Sequence, residues 1–247
     1  MAEKWFTIAK NDRDIVQILL EQSYYAAATY HLQQAFEKLT KGYYIFSGRM
    51  EPEEASEHQF VLNRLKKEIN DQYLNDLLKI SEVIDKGKIS LQASDKSLEI
   101  IHKSEESLRK LDKTEINLLI TLVNNIEKKL LSESTFITIE KKAKERRNLN
   151  KLKHLIYVLT RFRVSSLEIK QAIEREQIIV YLNCAVTGIK LHIASIITFL
   201  HFNTPRYPNC KNSEINFSSY SQNMGIVEMI PDLTKLFDEI YDSIRIK

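Results

Sequence analysis

Residues 26–48 read AAATYHLQQAFEKLTKGYYIFSG and carry the periodicity of an amphipathic helix, with apolar side chains at three- and four-residue steps. A second helical pattern precedes this stretch and runs through Ile8, Ile15, Ile18 and Leu19. Residues 22–24 suit the turn between the two patterns. The sequence therefore predicts an antiparallel helical hairpin, whose second helix ends at Gly42 or Gly48 in a left-handed conformation.

The composition favours an all-α protein. The chain has 247 residues, of which 43% are hydrophobic and 28% charged, values close to the globular norm. Glycine occurs only five times and proline four times, and no proline falls between Pro52 and Pro205. Because both residues disfavour helix interiors, their scarcity over so long a stretch indicates a helix-rich fold.

The same composition predicts a cytoplasmic protein without metal or cofactor. The two cysteines, Cys184 and Cys210, have no metal-ligand spacing, and the N-terminus lacks the apolar run of a secretory signal. The most apolar stretch, Ile178 to Phe202, is interrupted by polar residues, which favours a buried helix over a membrane span. We find no zinc-binding His-Glu pair, glycine-rich phosphate loop or serine nucleophile elbow. The net charge of +3 does not by itself require a nucleic-acid partner.

The middle of the chain predicts further helices. Apolar residues recur from 60 to 84 and then, at near-heptad spacing with Lys and Glu between them, from 98 to 130. The second run could form an antiparallel helical pair that stands off the body of the protein. After a break at 131–139, helical pattern resumes to about residue 176, and an amphipathic helix over 226–244 closes the chain.

Two segments, in the same order, resemble the HEPN domain family, the higher-eukaryote and prokaryote nucleotide-binding helical family. The first carries the glutamines, alanine, glutamate, lysines and glycine that are characteristic of that family's first hairpin. These are Gln33, Gln34, Ala35, Glu37, Lys38, Lys41 and Gly48. The second is the apolar helix that closes with Arg206, Tyr207 and Pro208, as the penultimate helix of family members often does. His58 adds a weaker match at the start of the predicted third helix.

The resemblance implies an up-and-down antiparallel helical bundle. We expect residues 1–69 and 178–247 to form this bundle and residues 70–177 to form a long helical insertion, with a helical hairpin followed by a basic helix. The resemblance also implies a homodimer that pairs through helical faces. A nucleotidyltransferase-type protein, as in toxin–antitoxin pairs, is the protein partner that it suggests.

One residue pair matches the spacing that the family's ribonucleases use for catalysis. Arg147, with Asn148 directly after it, precedes His154 by seven positions on a predicted helix, so the two side chains would share a face. His154 could act as general acid or base on the 2′-hydroxyl while Arg147 neutralises the phosphorane. An Arg and a His at such spacing also arise by chance, and a solvated basic face is the alternative.

Candidate nucleotide- or RNA-binding residues fall in three places. Lys144, Arg146 and Lys151 belong to a basic stretch that could follow a phosphate backbone, although solvation also explains such a stretch. Lys38 and Lys41 in the hairpin could pair with phosphate. Arg206 and Tyr207 offer a cation and a stackable ring, whereas Tyr207 could equally plug a helix end.

Three functions remain open on the sequence. The first is a module that binds a nucleotide, RNA or a protein partner, within a toxin–antitoxin or defence system. The second is a metal-independent endoribonuclease that uses Arg147 and His154. The third is a structural protein whose insertion serves assembly.

Overall fold

All regular structure in the residues that the computed structural model describes is helical. The described residues are 1–48, 50–56, 95–101, 103–135, 137, 175–201 and 217–245. The α-helices are α1 (Ala2–Glu21), α2 (Tyr25–Phe46), α3 (Asp95–Ile101), α4 (Glu105–Arg109), α5 (Lys113–Leu130), α6 (Arg175–Thr198), α7 (Gly225–Glu228) and α8 (Ile230–Arg245). Short 3-10 helices lie at Glu54–Ser56, Phe199–His201 and Phe217–Ser219. The predicted all-α class is confirmed.

Helices α1 and α2 form the predicted antiparallel hairpin. The turn falls at residues 22–24, where Ser23 adopts a φ of 59° and the Tyr24 amide donates to the Leu19 carbonyl at 2.8 Å. A left-handed residue reverses the chain within a few positions, so the two helices lie side by side along most of their length.

The face of α1 that is buried against the bundle differs from the predicted one. The buried residues are Phe6, Ala9, Asp12 and Val16. Of the predicted stripe, Ile8, Ile15 and Ile18 are exposed, and only Leu19 packs against the core. The N-terminal half of α2 is rich in alanine, and small residues allow a close approach of the backbones. Ala9 and Phe6 of α1 pack where the two backbones approach each other closely. The pattern of isoleucines alone could not predict this contact.

The two hairpin glycines have different roles. Gly48 follows the end of α2 with a φ of 63°, as predicted for a helix-ending glycine. Gly42 does not end the helix, because α2 continues to Phe46. A Cβ at Gly42 would lie 2.6 Å from Cε1 of the buried Phe6 ring, so this glycine gives room for α1 to pack.

Helix α2 is the central element of the core, and helices from the C-terminal part pack around it. Phe36 of α2 meets Phe237 of α8 edge to face, with ring centroids 5.6 Å apart. Tyr43 of α2 donates its hydroxyl hydrogen to the backbone carbonyl of Cys184 in α6, at 2.8 Å. The two ends of the chain thus share one hydrophobic core. The closing helix predicted over 226–244 is observed as two helices, α7 and α8, with Pro231 in the first turn of α8.

Helices α3 to α5 also pack into this core. Ile100, Ile116 and Leu119 are buried in the same hydrophobic cluster as α2. This part of the predicted insertion therefore does not stand off the body as an arm. Its run of near-heptad spacing is divided into three helices, because Ser104 caps α4 and Asp112 begins α5 with a capping box. The predicted domain boundaries remain predictions.

Helix α6 and the 3-10 turn after it form the predicted apolar helix. The stretch Leu182–His201 is apolar and long enough to cross a membrane, yet 88% of it is buried inside the bundle, as in a core helix. The buried Lys190 within it pairs with Glu127 of α5 at 2.9 Å and with Glu239 of α8 at 3.3 Å. These ion pairs connect α5, α6 and α8.

We expect Gly42→Ala to destabilise the protein by about 1–3 kcal/mol, because the added methyl group overpacks against Phe6. Urea unfolding followed by circular dichroism measures the change. The sign of the change in the free energy of unfolding is informative, because helix propensity alone favours alanine over glycine by about 1 kcal/mol in a helix interior. An unchanged or raised free energy of unfolding would contradict the close contact between the helices.

Candidate functional site

A cluster of three polar side chains, Asp12 of α1 with His31 and Lys38 of α2, joins the two hairpin helices. The carboxylate of Asp12 accepts a hydrogen bond from the Lys38 ammonium through Oδ2. Its Oδ1 lies 2.9 Å from Nδ1 of His31. We call this set the Asp12 cluster. One carboxylate therefore holds two side chains of the neighbouring helix.

The cluster follows from the helical register. Asp12 lies on the buried face of α1, in line with Ala9 and Val16, so its carboxylate is directed towards α2. A buried carboxylate is costly unless it is paired and hydrogen-bonded. His31 and Lys38 are seven positions apart, about two turns, so they lie on one face of α2 and can approach Asp12 together.

The charge of Asp12 is stabilised by its partners. Burial by itself would raise the pKa of this carboxyl, but the hydrogen bonds from His31 and Lys38, together with the positive charge of Lys38, hold the pKa below its ordinary value of 3.8. Asp12 is therefore ionised at neutral pH. It acts as a fixed negative anchor behind the imidazole and the ammonium.

His31 and Lys38 reach the surface while their inner atoms are held. The side chain of Asp12 is only 11% exposed, whereas those of His31 and Lys38 are 28% and 21% exposed. If Nδ1 of His31 donates to Asp12, Nε2 is the acceptor nitrogen of the neutral ring. The Tyr30 ring packs edge to face against the imidazole, with centroids 5.4 Å apart. An oriented imidazole beside an ammonium can bind an anion or transfer a proton.

A second group of polar residues on α2 is buried and satisfied internally. Lys41 pairs with Glu37 at 2.9 Å, and its side chain is only 3% exposed. The amides of Gln33 and Gln34 donate to the other oxygen of Glu37 at 3.0 and 3.3 Å. The Lys41 ammonium also lies 5.2 Å from the centre of the Trp5 ring. A phosphate would have to displace Glu37 to reach Lys41.

A third polar group lies in the core around His201. Its Nδ1 is 2.8 Å from the hydroxyl of Tyr220, which joins the end of α6 to the segment before α7. Burial and, to a smaller extent, the charge of Arg109 lower the pKa of His201 to about 3. The imidazole is thus neutral at physiological pH and serves as a hydrogen-bonding core residue.

The other predicted site residues lie outside the residues that the structure describes. They are Lys144, Arg146, Arg147, Lys151, His154, Arg206 and Tyr207, and the weaker family match at His58 is outside as well. Of the predicted set, only Lys38 and Lys41 can be placed. The structure brings Lys38 to the surface beside His31 and puts Lys41 in a buried ion pair.

Neither Asp12 nor His31 was identified as a site residue by sequence reasoning. One signal for Asp12 was present. Asp12 is the only polar residue in the series Phe6, Ala9, Asp12 and Val16, which lies on one face of the helix. A carboxylate in line with apolar residues needs a partner. No spacing rule could identify that partner, because 19 positions separate Asp12 from His31.

Within the described ranges, no three His, Cys, Asp or Glu side chains come together as a metal site would require. The Asp12 cluster has one imidazole and one carboxylate, and the ammonium of Lys38 takes the place where a cation would otherwise sit. The arrangement is suited to an anion and not to a metal ion.

Comparison with known families gives one match. Residues 2–116 match the family model described as HEPN domain, which confirms the predicted family for the N-terminal part of the chain. The matched range contains the whole Asp12 cluster and also α3 and α4. Neither the curated proteins nor the solved structures include a significant match.

We expect Asp12→Asn to lower the free energy of unfolding by about 1–3 kcal/mol at neutral pH, because His31 and Lys38 lose a charged partner. The folded pKa of Asp12 lies below its unfolded value of 3.8. The stabilisation is therefore complete above pH 3.8 and is lost as the pH falls through the folded pKa. Urea unfolding of both proteins across this range measures the difference.

The difference between wild type and Asp12→Asn should shrink on acidification. Protonation of groups that do not contact Asp12, including the unfolded-state protonation of His201 below pH 6.5, affects both proteins equally and cancels in the comparison. A difference that is absent at neutral pH, or that does not change with acid, would contradict the paired carboxylate.

Proposed function

Because residues 2–116 match the HEPN domain family model, we propose that the chain is a nucleotide- or RNA-binding module whose ligand phosphate contacts His31 and Lys38. The family supports a module of this kind or an RNase-like one. The observation that carries the proposal is the Asp12 cluster, in which one buried carboxylate holds an imidazole and an ammonium at the surface.

The chemistry of the cluster suits a phosphate. The Lys38 ammonium has three donors, and Asp12 takes one of them, so two remain for a phosphate oxygen. Protonated His31 would add a second cationic donor on the same helix face. Since Asp12 already fixes both side chains, a ligand pays little entropy to order them.

We propose a wider contact surface for RNA than for a nucleotide. The basic residues Lys144, Arg146 and Lys151 would extend the phosphate contacts, and Arg206 with Tyr207 would hold a base or a terminal phosphate. These roles rest on sequence alone. The buried pair of Lys41 with Glu37 argues that Lys41 stabilises α2 and contacts no ligand.

We propose the cytoplasm as the location and a homodimer as the assembly, and a nucleotidyltransferase-type protein of a toxin–antitoxin or defence system as the protein partner. The homodimer is supported by the fact that HEPN domains often dimerise. The location and the protein partner are proposed from the sequence. Co-purification of the chain with the product of a neighbouring gene would test the partner. Recovery of the chain alone from cells that express both proteins would oppose it.

We expect ATP and a fluorescently labelled single-stranded RNA to bind with an affinity that falls steeply as salt rises. Lys38→Ala should weaken binding at least several-fold, because one phosphate contact is lost. Fluorescence anisotropy measures the RNA and isothermal calorimetry the nucleotide. The matched control is Lys235→Ala, which removes an exposed lysine from α8 and should leave both affinities unchanged.

Loss of folding must be separated from loss of binding in this experiment. Lys38→Met keeps the aliphatic stem, and circular dichroism with urea unfolding reports whether the hairpin remains intact. A folded Lys38→Met protein that binds as wild type does would refute the site. Failure of wild type to bind either ligand at low salt would refute the binding function.

A ribonuclease is the second candidate, favoured by the family match together with the spacing of Arg147 and His154. Cleavage of RNA in the presence of EDTA by wild type, and its loss in His154→Ala, would support this function. His102→Ala is a control that removes a histidine outside the proposed pair. No cleavage of any RNA tested, or cleavage that persists in His154→Ala, would exclude catalysis by this pair.

A further inference from the structure

One side of α1 carries exposed apolar residues that the bundle does not cover. Ile8, Ile15 and Ile18 are 43%, 37% and 62% exposed. Together with the exposed Lys4 and Asn11 they occupy positions 4, 8, 11, 15 and 18. We call these five residues the α1 seam. Its steps alternate between four and three residues, which is the spacing of a coiled-coil contact.

Helix formation does not account for the isoleucines. Isoleucine is a weaker helix former than alanine, leucine or lysine, so an exposed helix gains nothing from three of them. The opposite side of α1 is already buried through Phe6, Ala9 and Val16. An additional apolar row that is rimmed by charged residues marks a surface for another protein.

We propose that the α1 seam binds the α1 seam of a second copy of this chain, with the two helices antiparallel. The inference deepens the homodimer of the proposed function by naming the surface that forms it. A two-fold axis makes such a contact self-complementary. If residue i of one copy contacts residue j of the second, residue j of the first copy also contacts residue i of the second. The fit can therefore be judged from one helix alone.

Charge selects the antiparallel orientation. In a parallel pair, Lys4 would face Lys4 of the second copy and the two like charges would repel. In an antiparallel pair, Lys4 lies near the C-terminal end of the other α1, where Glu21 and the negative end of the helix dipole attract it. The charge at the N-terminal end of α1 is thus complementary to the charge at its C-terminal end.

The sequence positions also agree with a two-fold axis near Asn11. Ile8 and Ile15 lie at nearly equal distances on either side of the middle of the seam, so the antiparallel arrangement places each against the isoleucines of the second copy. Asn11 then faces the axis. A single polar residue at such a position fixes the register of paired helices at a cost in stability.

The size of the contact fits a modest dimer. A helix of 20 residues spans about 30 Å. Because only one helix of each copy contributes, the contact is small beside the roughly 1,200–2,000 Å² that specific interfaces bury. We therefore expect dissociation on dilution.

The first test is the mass of the full chain, measured by light scattering during gel filtration over a range of concentrations. Wild type should have the mass of a dimer at high concentration, and Ile15→Glu should have the mass of a monomer with unchanged circular dichroism. The matched control is Ile137→Glu, which places the same charge at an exposed isoleucine off the seam. It should remain dimeric.

Either of two results overturns the proposal. One is a wild-type monomer at every concentration. The other is a folded Ile15→Glu protein that stays dimeric, since the dimer would then use another surface.

Cross-linking tests the orientation. In a background with Cys184→Ala and Cys210→Ala, a short bis-maleimide should join Asn11→Cys to Asn11→Cys of the second copy in high yield. Lys4→Cys should not be joined, because the two copies of position 4 lie about 20 Å apart along an antiparallel pair. Cross-linking of Lys4→Cys in place of Asn11→Cys would overturn the antiparallel arrangement.

These measurements need no ligand, so they test the seam independently of the proposed binding function. Efficient cross-linking through Asn11→Cys in a chain that binds neither ATP nor RNA would support the seam and refute the binding function. A chain that binds its ligand as a strict monomer would refute the seam and leave the binding function supported.

Discussion

The bundle is organised around α2, a helix that is buried along most of its length although it carries three charged side chains. Glu37 and Lys41 pair within the helix, and Lys38 pairs with Asp12 across the hairpin. Unpaired, the buried Glu37, Lys41 and Asp12 would each cost several kcal/mol, so the pairing is a condition for burying α2 against α1. It also fixes the position of α1, because only one register brings Asp12 to both His31 and Lys38.

The same pairing connects the fold to the proposed function. An ion pair that only stabilised the hairpin could be entirely buried, as Glu37 and Lys41 are. Asp12 is buried in a similar way, yet its two partners extend to the surface and keep donors or an acceptor available. The seam lies on the exposed face of α1, whereas Asp12 lies on its buried face.

Sequence patterns identified the helical class, the first hairpin and its turn, the buried apolar helix and the closing helix. The errors have physical causes. The isoleucines of α1 predicted the wrong face, because Ala9 contributes to packing through its small size and adds little to an apolar pattern. Gly42 was interpreted as a possible helix end, whereas its role is to make room for Phe6, a residue 36 positions away.

The candidate site was harder to predict than the fold. Lys38 and Lys41 match the family motif equally well, and only the packing separates a surface lysine from a buried one. Asp12 contacts residues 19 and 26 positions away, a distance at which spacing rules give no information. The motif of glutamines, glutamate and second lysine is explained by the polar network inside α2, so its presence indicates the fold more directly than an activity.

In the proposed function, the ligand phosphate contacts His31 and Lys38, which the buried Asp12 holds at the surface. The most direct measurement is a heteronuclear NMR titration with ATP that follows the histidine side-chain resonances. The account predicts that the His31 imidazole shifts with saturation, and that the fully buried His201 does not move. Saturable binding that leaves His31 unchanged would contradict it.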